Sequence, residues 1–241
     1  MPIDMNKENP LLLHIETATE VCSVALSEGD RLLAVCESAD GNSHSKNLLP
    51  FIDELCRESG RALRDIDGVA VSVGPGSYTG LRIGVSTAKG IAYALQVPVM
   101  AVGTLESIAY GALAEGGGEC PAAGLQIVPM IDARRMEVFT CRYNEKMEEV
   151  APASALIVDD EAFAGLLSQH VLLFCGNGMP KCKEQLAQSP NARFAEFAIS
   201  ARHLVQPALK RWKAGDFADT AYFEPFYLKE YVAAKPHVKG L

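Results

Sequence analysis

The residues best suited to chemistry lie in the segment VAVSVGPGSYTGLRIGVSTAKGIAYAL, which runs from Val69 to Leu95. A buried strand leads into Gly74, Pro75 and Gly76, where glycine permits a tight turn, and Thr79 offers a capping oxygen to the helix behind it. Free N–H groups at such a helix start can hold an anion. Gly74, Gly76, Ser77, Thr79 and Gly80 therefore form a candidate loop for an anion or for the neighbourhood of a nucleotide. A strand-to-helix turn with no ligand fits the same residues. The spacing matches neither the GxxxxGK[ST] phosphate loop nor the GxGxxG dinucleotide turn. Nor is GPGSYTG the GxSxG elbow that exposes a strained serine, and no catalytic residue is assigned here.

Other reactive side chains stand apart. A helical metal site needs two imidazoles one turn apart, but the residue four after His44 is Leu48. His14, His170 and His203 have no acidic or histidine partner at ligand spacing, so no metal is expected. Seven cysteines occur without a CxxC pair; an odd count in a chain with no secretory signal points to reduced thiols, mostly small core residues. Arg134 and Arg135, after Asp132, are a solvated turn or a contact for an acidic partner or phosphate.

The elements that must carry these residues alternate. Strands are expected at 11–15, 21–26 and 32–37, then a helix at 44–59 capped by Ser43, a strand at 69–73, a helix at 79–95, a strand at 98–102 and a helix from Thr104 to about Ala114. Within the helix at 79–95, Gly80, Gly84, Ala88 and Ala92 recur every four residues and lay down a stripe of very small side chains. Another backbone can approach that stripe closely, from a partner or from the same chain. Three consecutive glycines and Pro121 make 115–124 a candidate hinge.

Beyond it the order begins again. Placing Asp132 over Glu16 brings the turn at Asn144-Glu145 over that at Gly29-Asp30, a weak internal duplication. A helix near 159–169, a strand at 171–175, a short helix after Pro180 and a longer one near 200–213 complete the pattern. The expected fold is α/β, with tandem lobes of mixed sheet and helices as in the actin, sugar-kinase and Hsp70 group. The lobes are placed at 11–115 and 124–228, with flexible tails at 1–10 and 229–241.

The chain has 241 residues, 49% hydrophobic and 22% charged, enough for a sizeable core without staples. No long apolar run or secretory leader is evident, so a cytoplasmic location without membrane contact is expected. A net charge of −8 argues against a protein that grips nucleic acid alone. The local basic excess is the tail with Lys229, Lys235, His237 and Lys239.

The string GPGSYTGLRIGVSTAKGIAYAL, with IETATEVCSVAL at Ile15, HSKNLLPFIDEL at His44 and IDARRMEVF at Ile131, resembles the TsaB family, also called YeaZ, from about Leu11 to Tyr143. GNGMPKC and PFYLKEY continue it less distinctively, and Glu16 departs from the Asp more usual in the first turn. The resemblance implies a non-catalytic subunit that supports a TsaD-like enzyme in adding threonylcarbamoyl to the adenosine beside the anticodon. It implies pairing through the helices at 44–59 and 79–95, with His44, Leu48, Phe51, Gly80, Arg82, Gly84, Ala88 and Ala92 at the interface. It also implies a homodimer when alone, a TsaE-like ATPase as further partner, and tRNA contact only through the complex. No cofactor is expected, beyond a nucleotide at a shared interface. The rival readings are a small ATP-dependent phosphotransferase and a homodimeric binding module unrelated to tRNA.

Overall fold

The computed structural model describes residues 7–40, 44–115 and 124–229. Two five-stranded sheets carry the chain. The first contains β1 (Leu11–Glu16), β2 (Cys22–Glu28), β3 (Arg31–Ser38), β4 (Gly68–Ser72) and β5 (Val99–Val102), in the order β3-β2-β1-β4-β5. The second contains β6 (Leu125–Asp132), β7 (Glu137–Asn144), β8 (Glu149–Ile157), β9 (Val171–Cys175) and β10 (Ala192–Ala195), in the order β10-β9-β6-β7-β8. Read outward from the meander, the two orders are the same. In each sheet an antiparallel meander of three strands is followed by two parallel additions. The duplication hinted at by Glu16 and Asp132 is thus a repeated topology.

One face of the first sheet is covered by α1 (His44–Ser59) and α2 (Tyr78–Leu95). Leu11, Leu13 and Ile15 of β1 alternate onto this face and pack with Leu48, Ile52, Leu55, Val85, Ala88 and Ala92, as period-two strands and helical stripes require. The opposite face receives Leu12, Ala70 and Met100, and its cover comes from far along the chain. The 3-10 turn Ala201–Leu204 and Ala208 and Trp212 of the last described helix close it.

The equivalent helix of the first half, α3 (Thr104–Glu115), packs through Leu105, Ile108 and Ala112 on the second sheet, against Ile127, Cys141 and Cys175. Two short helices, α4 (Ala164–Leu167) and α5 (Lys183–Leu186), cover that sheet's other face. The last described helix, α6 (Val205–Ala214), binds α3 through Arg211, whose Nη1 and Nη2 donate to Glu106 at 3.1 and 2.7 Å.

These contacts correct the expected lobes. Residues 104–115 belong with the second sheet and 200–217 with the first, because each sheet's inner face is completed by a helix from the other half. The expected tail at 1–10 is packed over its described part: Lys7 O accepts from Trp212 Nε1 at 3.1 Å, and Pro10 O from Gly29 N at 2.9 Å. Lys229 is likewise held, by Glu137 at 2.6 Å. The Ser43 cap, the glycine run of the hinge, Cys120, and Lys235, His237 and Lys239 lie outside the described residues.

Candidate functional site: the glycine loop and the paired helices

β4 is a buried strand of small and branched residues, and the chain leaves it at Gly74 with φ of 120°, a conformation suited to glycine. Gly74 N donates to Thr104 Oγ1 at 3.1 Å, and Thr104 N returns a bond to Gly74 O at 2.9 Å, which fixes the loop to the start of α3. Ser77, with extended backbone, caps α2: its Oγ accepts from Gly80 N at 3.2 Å. Thr79 does not hold the expected capping position. It sits exposed in the first turn, because the chain enters the helix two residues earlier.

The glycines of this loop are filled by the chain itself. A Cβ at Gly76 would overlap Ala18 O, at Gly80 Thr17 O, at Gly84 Thr17 Oγ1, and at Gly74 the backbone of Phe226. Ser77 N donates to Ala18 O at 2.6 Å, and Thr17 Oγ1 donates to Gly80 O at 2.8 Å. The close approach that these residues permit is that of the turn 17–20 and of the C-terminal strap 216–229.

The small stripe therefore faces inward. Gly80, Gly84, Ala88 and Ala92 are buried on the sheet side of α2, and His44 and Leu48 on the sheet side of α1. This corrects their assignment to a partner interface. His44 has a local task, with Nε2 2.9 Å from Thr19 O. Phe51 is half-buried and Arg82 exposed; Arg82 lies 4.0 Å over the Tyr78 ring and donates to Tyr227 Oη at 3.3 Å.

The outer surface of the helix pair is made by residues that the stripe did not single out. On α2 these are Ser86, Gly90 and Tyr93, and on α1 Leu49 and Pro50. Tyr93 is 76% exposed and Leu49 59%, among the more exposed large apolar side chains described, as are Tyr222 and Ile157 elsewhere. The signal was available: outward positions fall half a turn from a small-residue stripe, and i, i+4, i+7 from Ser86 gives Gly90 and Tyr93.

The strap runs along the other flank of α2. Lys89 Nζ donates to Phe223 O at 2.9 Å and to Ala221 O at 3.3 Å, while Phe226 N donates to Val73 O at 2.6 Å. Tyr227 stacks near Tyr78, with centroids 5.0 Å apart.

The first-turn carboxylate, Glu16, is fully buried. Its Oε1 accepts from Ala18 N at 2.7 Å and Ser72 Oγ at 2.9 Å, and Oε2 has no hydrogen-bond partner among the described residues. Burial pushes its pKa up to about 7 against the pull of the Ala18 N–H, the Ser72 hydroxyl and the Thr17 N–H. Its counterpart Asp132 is half-exposed and contacts Lys181 Nζ at 2.5 Å. Although partial burial opposes it, Lys181 and the Arg134 N–H hold that carboxyl below its usual value. Arg134 and Arg135 both take positive φ, 73° and 49°, and their side chains are exposed.

Elsewhere the titratable groups are built for packing. Among the described residues no group of three or more His, Cys, Asp or Glu could hold a metal. His14 is buried beside Ser27 Oγ at 2.8 Å and desolvation lowers its pKa to about 3, while His203 binds Glu115 at 2.8 Å. Burial raises the thiols of Cys22 and Cys36 to about 11 and of Cys141 to about 12, which leaves them protonated and unreactive. A cavity of about 440 Å³ lies across the molecule between α4 and α5, lined by Asp159, Phe163, Leu167, Leu186 and Asn191. No described helix is long and apolar enough to cross a membrane.

Two sheets of one repeated topology, with crossed helices between them, define the actin and sugar-kinase class of α/β fold. An activator of 2-hydroxyisocaproyl-CoA dehydratase from Clostridium difficile shares that fold at 9% identity, with a TM-score of 0.52 over 85% of this chain and 95% of its own. Residues 37–212 match the family described as TsaD, tRNA N6-adenosine threonylcarbamoyltransferase. The solved structure of YeaZ from Pseudomonas aeruginosa is 31% identical, with a TM-score of 0.76 over 91% of this chain and all of its own. The tRNA threonylcarbamoyladenosine biosynthesis protein TsaB of Escherichia coli is 37% identical over 55% of this chain and 54% of its own length. The match thus spans about half the length of that curated relative. The chain belongs to the TsaB/YeaZ family within this class.

Proposed function

We propose that this chain is a non-catalytic partner subunit in the formation of threonylcarbamoyladenosine in tRNA, and that it pairs with a TsaD-type catalytic subunit through the outer faces of α1 and α2. One observation carries this reading. The loop and carboxylate that could serve phosphate chemistry are closed by the chain's own turn and strap, while Leu49 and Tyr93 stand exposed on the helix pair beside them. Exposed apolar groups on adjacent helices suit a second helix pair packed across them. The chain's match to the TsaD family description supports a partner with a related lobe, and on this reading that lobe presents a similar helix pair from the other side.

On this reading the same face supports a homodimer when the chain is alone. A TsaE-like ATPase joins the pair, and tRNA is held chiefly by the other subunits, consistent with a net charge of −8. The setting is cytoplasmic.

Light scattering after gel filtration of this chain mixed with TsaD from the same organism tests the pairing, and the tRNA modification assay with and without the chain tests the role. A mixed complex required for modification is expected. No complex and no effect would overturn the reading. Saturable ATP binding by the isolated chain would favour the small phosphotransferase instead.

A further inference from the structure

Glu16 is the one fully buried acidic residue among those described, and it sits under the turn 17–20. Each residue of that turn secures a different part of the molecule. Thr17 and Ala18 seat the start of α2, through Gly80 O at 2.8 Å and Ser77 N at 2.6 Å. Thr19 O holds His44 at the start of α1, 2.9 Å away. Glu20 accepts from Asn177 Nδ2 of the second half at 3.0 Å.

The carboxyl reaches this hub through Ala18 N, and anchors it to β4 through Ser72 Oγ. Among the described residues no ion pair reaches it. On its side of the sheet, Glu37 is engaged by Arg202 at 3.1 Å and by the Ser200 hydroxyl at 2.7 Å, and His203 is engaged by Glu115. His14, two residues back on the same face, is held neutral by burial, and β4 and α2 direct no charged group at it. A carboxylate there would carry a desolvated charge offset only by the Ala18, Ser72 and Thr17 donors, so the neutral acid is favoured below about pH 7.

We propose that Glu16 is a proton-operated latch for the turn 17–20. As the neutral acid it keeps the turn seated. When it gives its proton to bulk water, the ionised Oε2 requires hydration, and the turn, its nearest loop, must lift to admit it. The starts of α1 and α2 then loosen together, and pairing through their outer faces weakens as pH rises. This last step rests on the pairing reading above; the latch itself does not.

The sign follows from proton binding. The folded chain keeps this proton to higher pH than the unfolded chain does. The stabilisation is therefore complete below the ordinary carboxyl range and is lost as pH rises through about 7.

Carbon-13 NMR of the glutamate carboxyls in the whole chain should show one titrating near neutrality. If all complete their titration below about pH 5.5, the latch is refuted. Urea unfolding from pH 5 to 8 should show wild type losing on the order of a hundredfold in its folding constant relative to Glu16→Gln. Parallel profiles would equally refute it, and if the Gln variant does not fold, the NMR titration decides alone. Affinity for the TsaD-type partner should then fall severalfold between pH 6 and 8 in wild type and stay level in Glu16→Gln. Constant wild-type affinity would sever the latch from pairing, whereas no pairing at any pH would sink the functional reading and leave the first two measurements standing.

Discussion

Gly80 and Gly84 show how one residue type supports two opposite readings. Both are small because something approaches closely, and the visitor is the chain's own Thr17. Gly84→Leu should accordingly cost about 3 kcal/mol or more of folding stability by overpacking, read as a shift in the urea midpoint with an unchanged slope. A Gly84→Leu chain as stable as wild type would show that the turn moves aside freely. From sequence, the stripe was legible and its orientation was not, since spacing records that a surface is close without recording whose surface it is. Glu16 was legible as a departure in the first turn. Its inward rotation depends on Ser72, 56 residues away, and no local pattern reports that bond.

At the scale of the element, α2 has three working sides: one on the sheet, one under the strap and one facing outward. Gly90 lies on the outward side, and a Cβ there would meet nothing within 4 Å. Gly90→Leu should therefore leave the fold intact, with stability level or raised by up to about 1 kcal/mol, since glycine is a poor helix former. The same change should reduce pairing at least tenfold by holding a facing helix away. Gel-filtration light scattering with circular dichroism separates the two effects, and undiminished pairing would move the interface off α2.

The N-terminal elements were legible because their apolar periods are long; α1 spans 44–59 as its pattern predicts. The second half was less so. The expected helix at 159–169 shortens to Ala164–Leu167, where Gly165 and Ser168 give weak helical preference. Strand β10 was missed because Ala192–Ala195 is four residues with no branched side chain, and it exists through parallel pairing to β9.

For the whole molecule, the crossed helices matter most. Trp212 closes the inner face of a sheet built almost entirely by the first 102 residues, and it bonds Lys7 O through its indole N–H. Trp212→Ala should cost about 3–5 kcal/mol and should destabilise the first sheet, detectable as faster hydrogen exchange in β1 and β4. Exchange confined to α6 would show that the sheet does not depend on this cover. Sequence order could not reveal the crossing, because composition and periodicity specify that a face is apolar and leave open which distant segment covers it.

The same crossing bears on synthesis. The ribosome completes β5 more than a hundred residues before Trp212 emerges, roughly ten seconds at common elongation rates. Throughout that interval Leu12, Ala70 and Met100 present a bare apolar face on a nascent chain that cannot yet finish folding. The chain is thus expected to lean on chaperones until residues 201–212 are made, and to be most prone to aggregation when translation stalls within the second sheet.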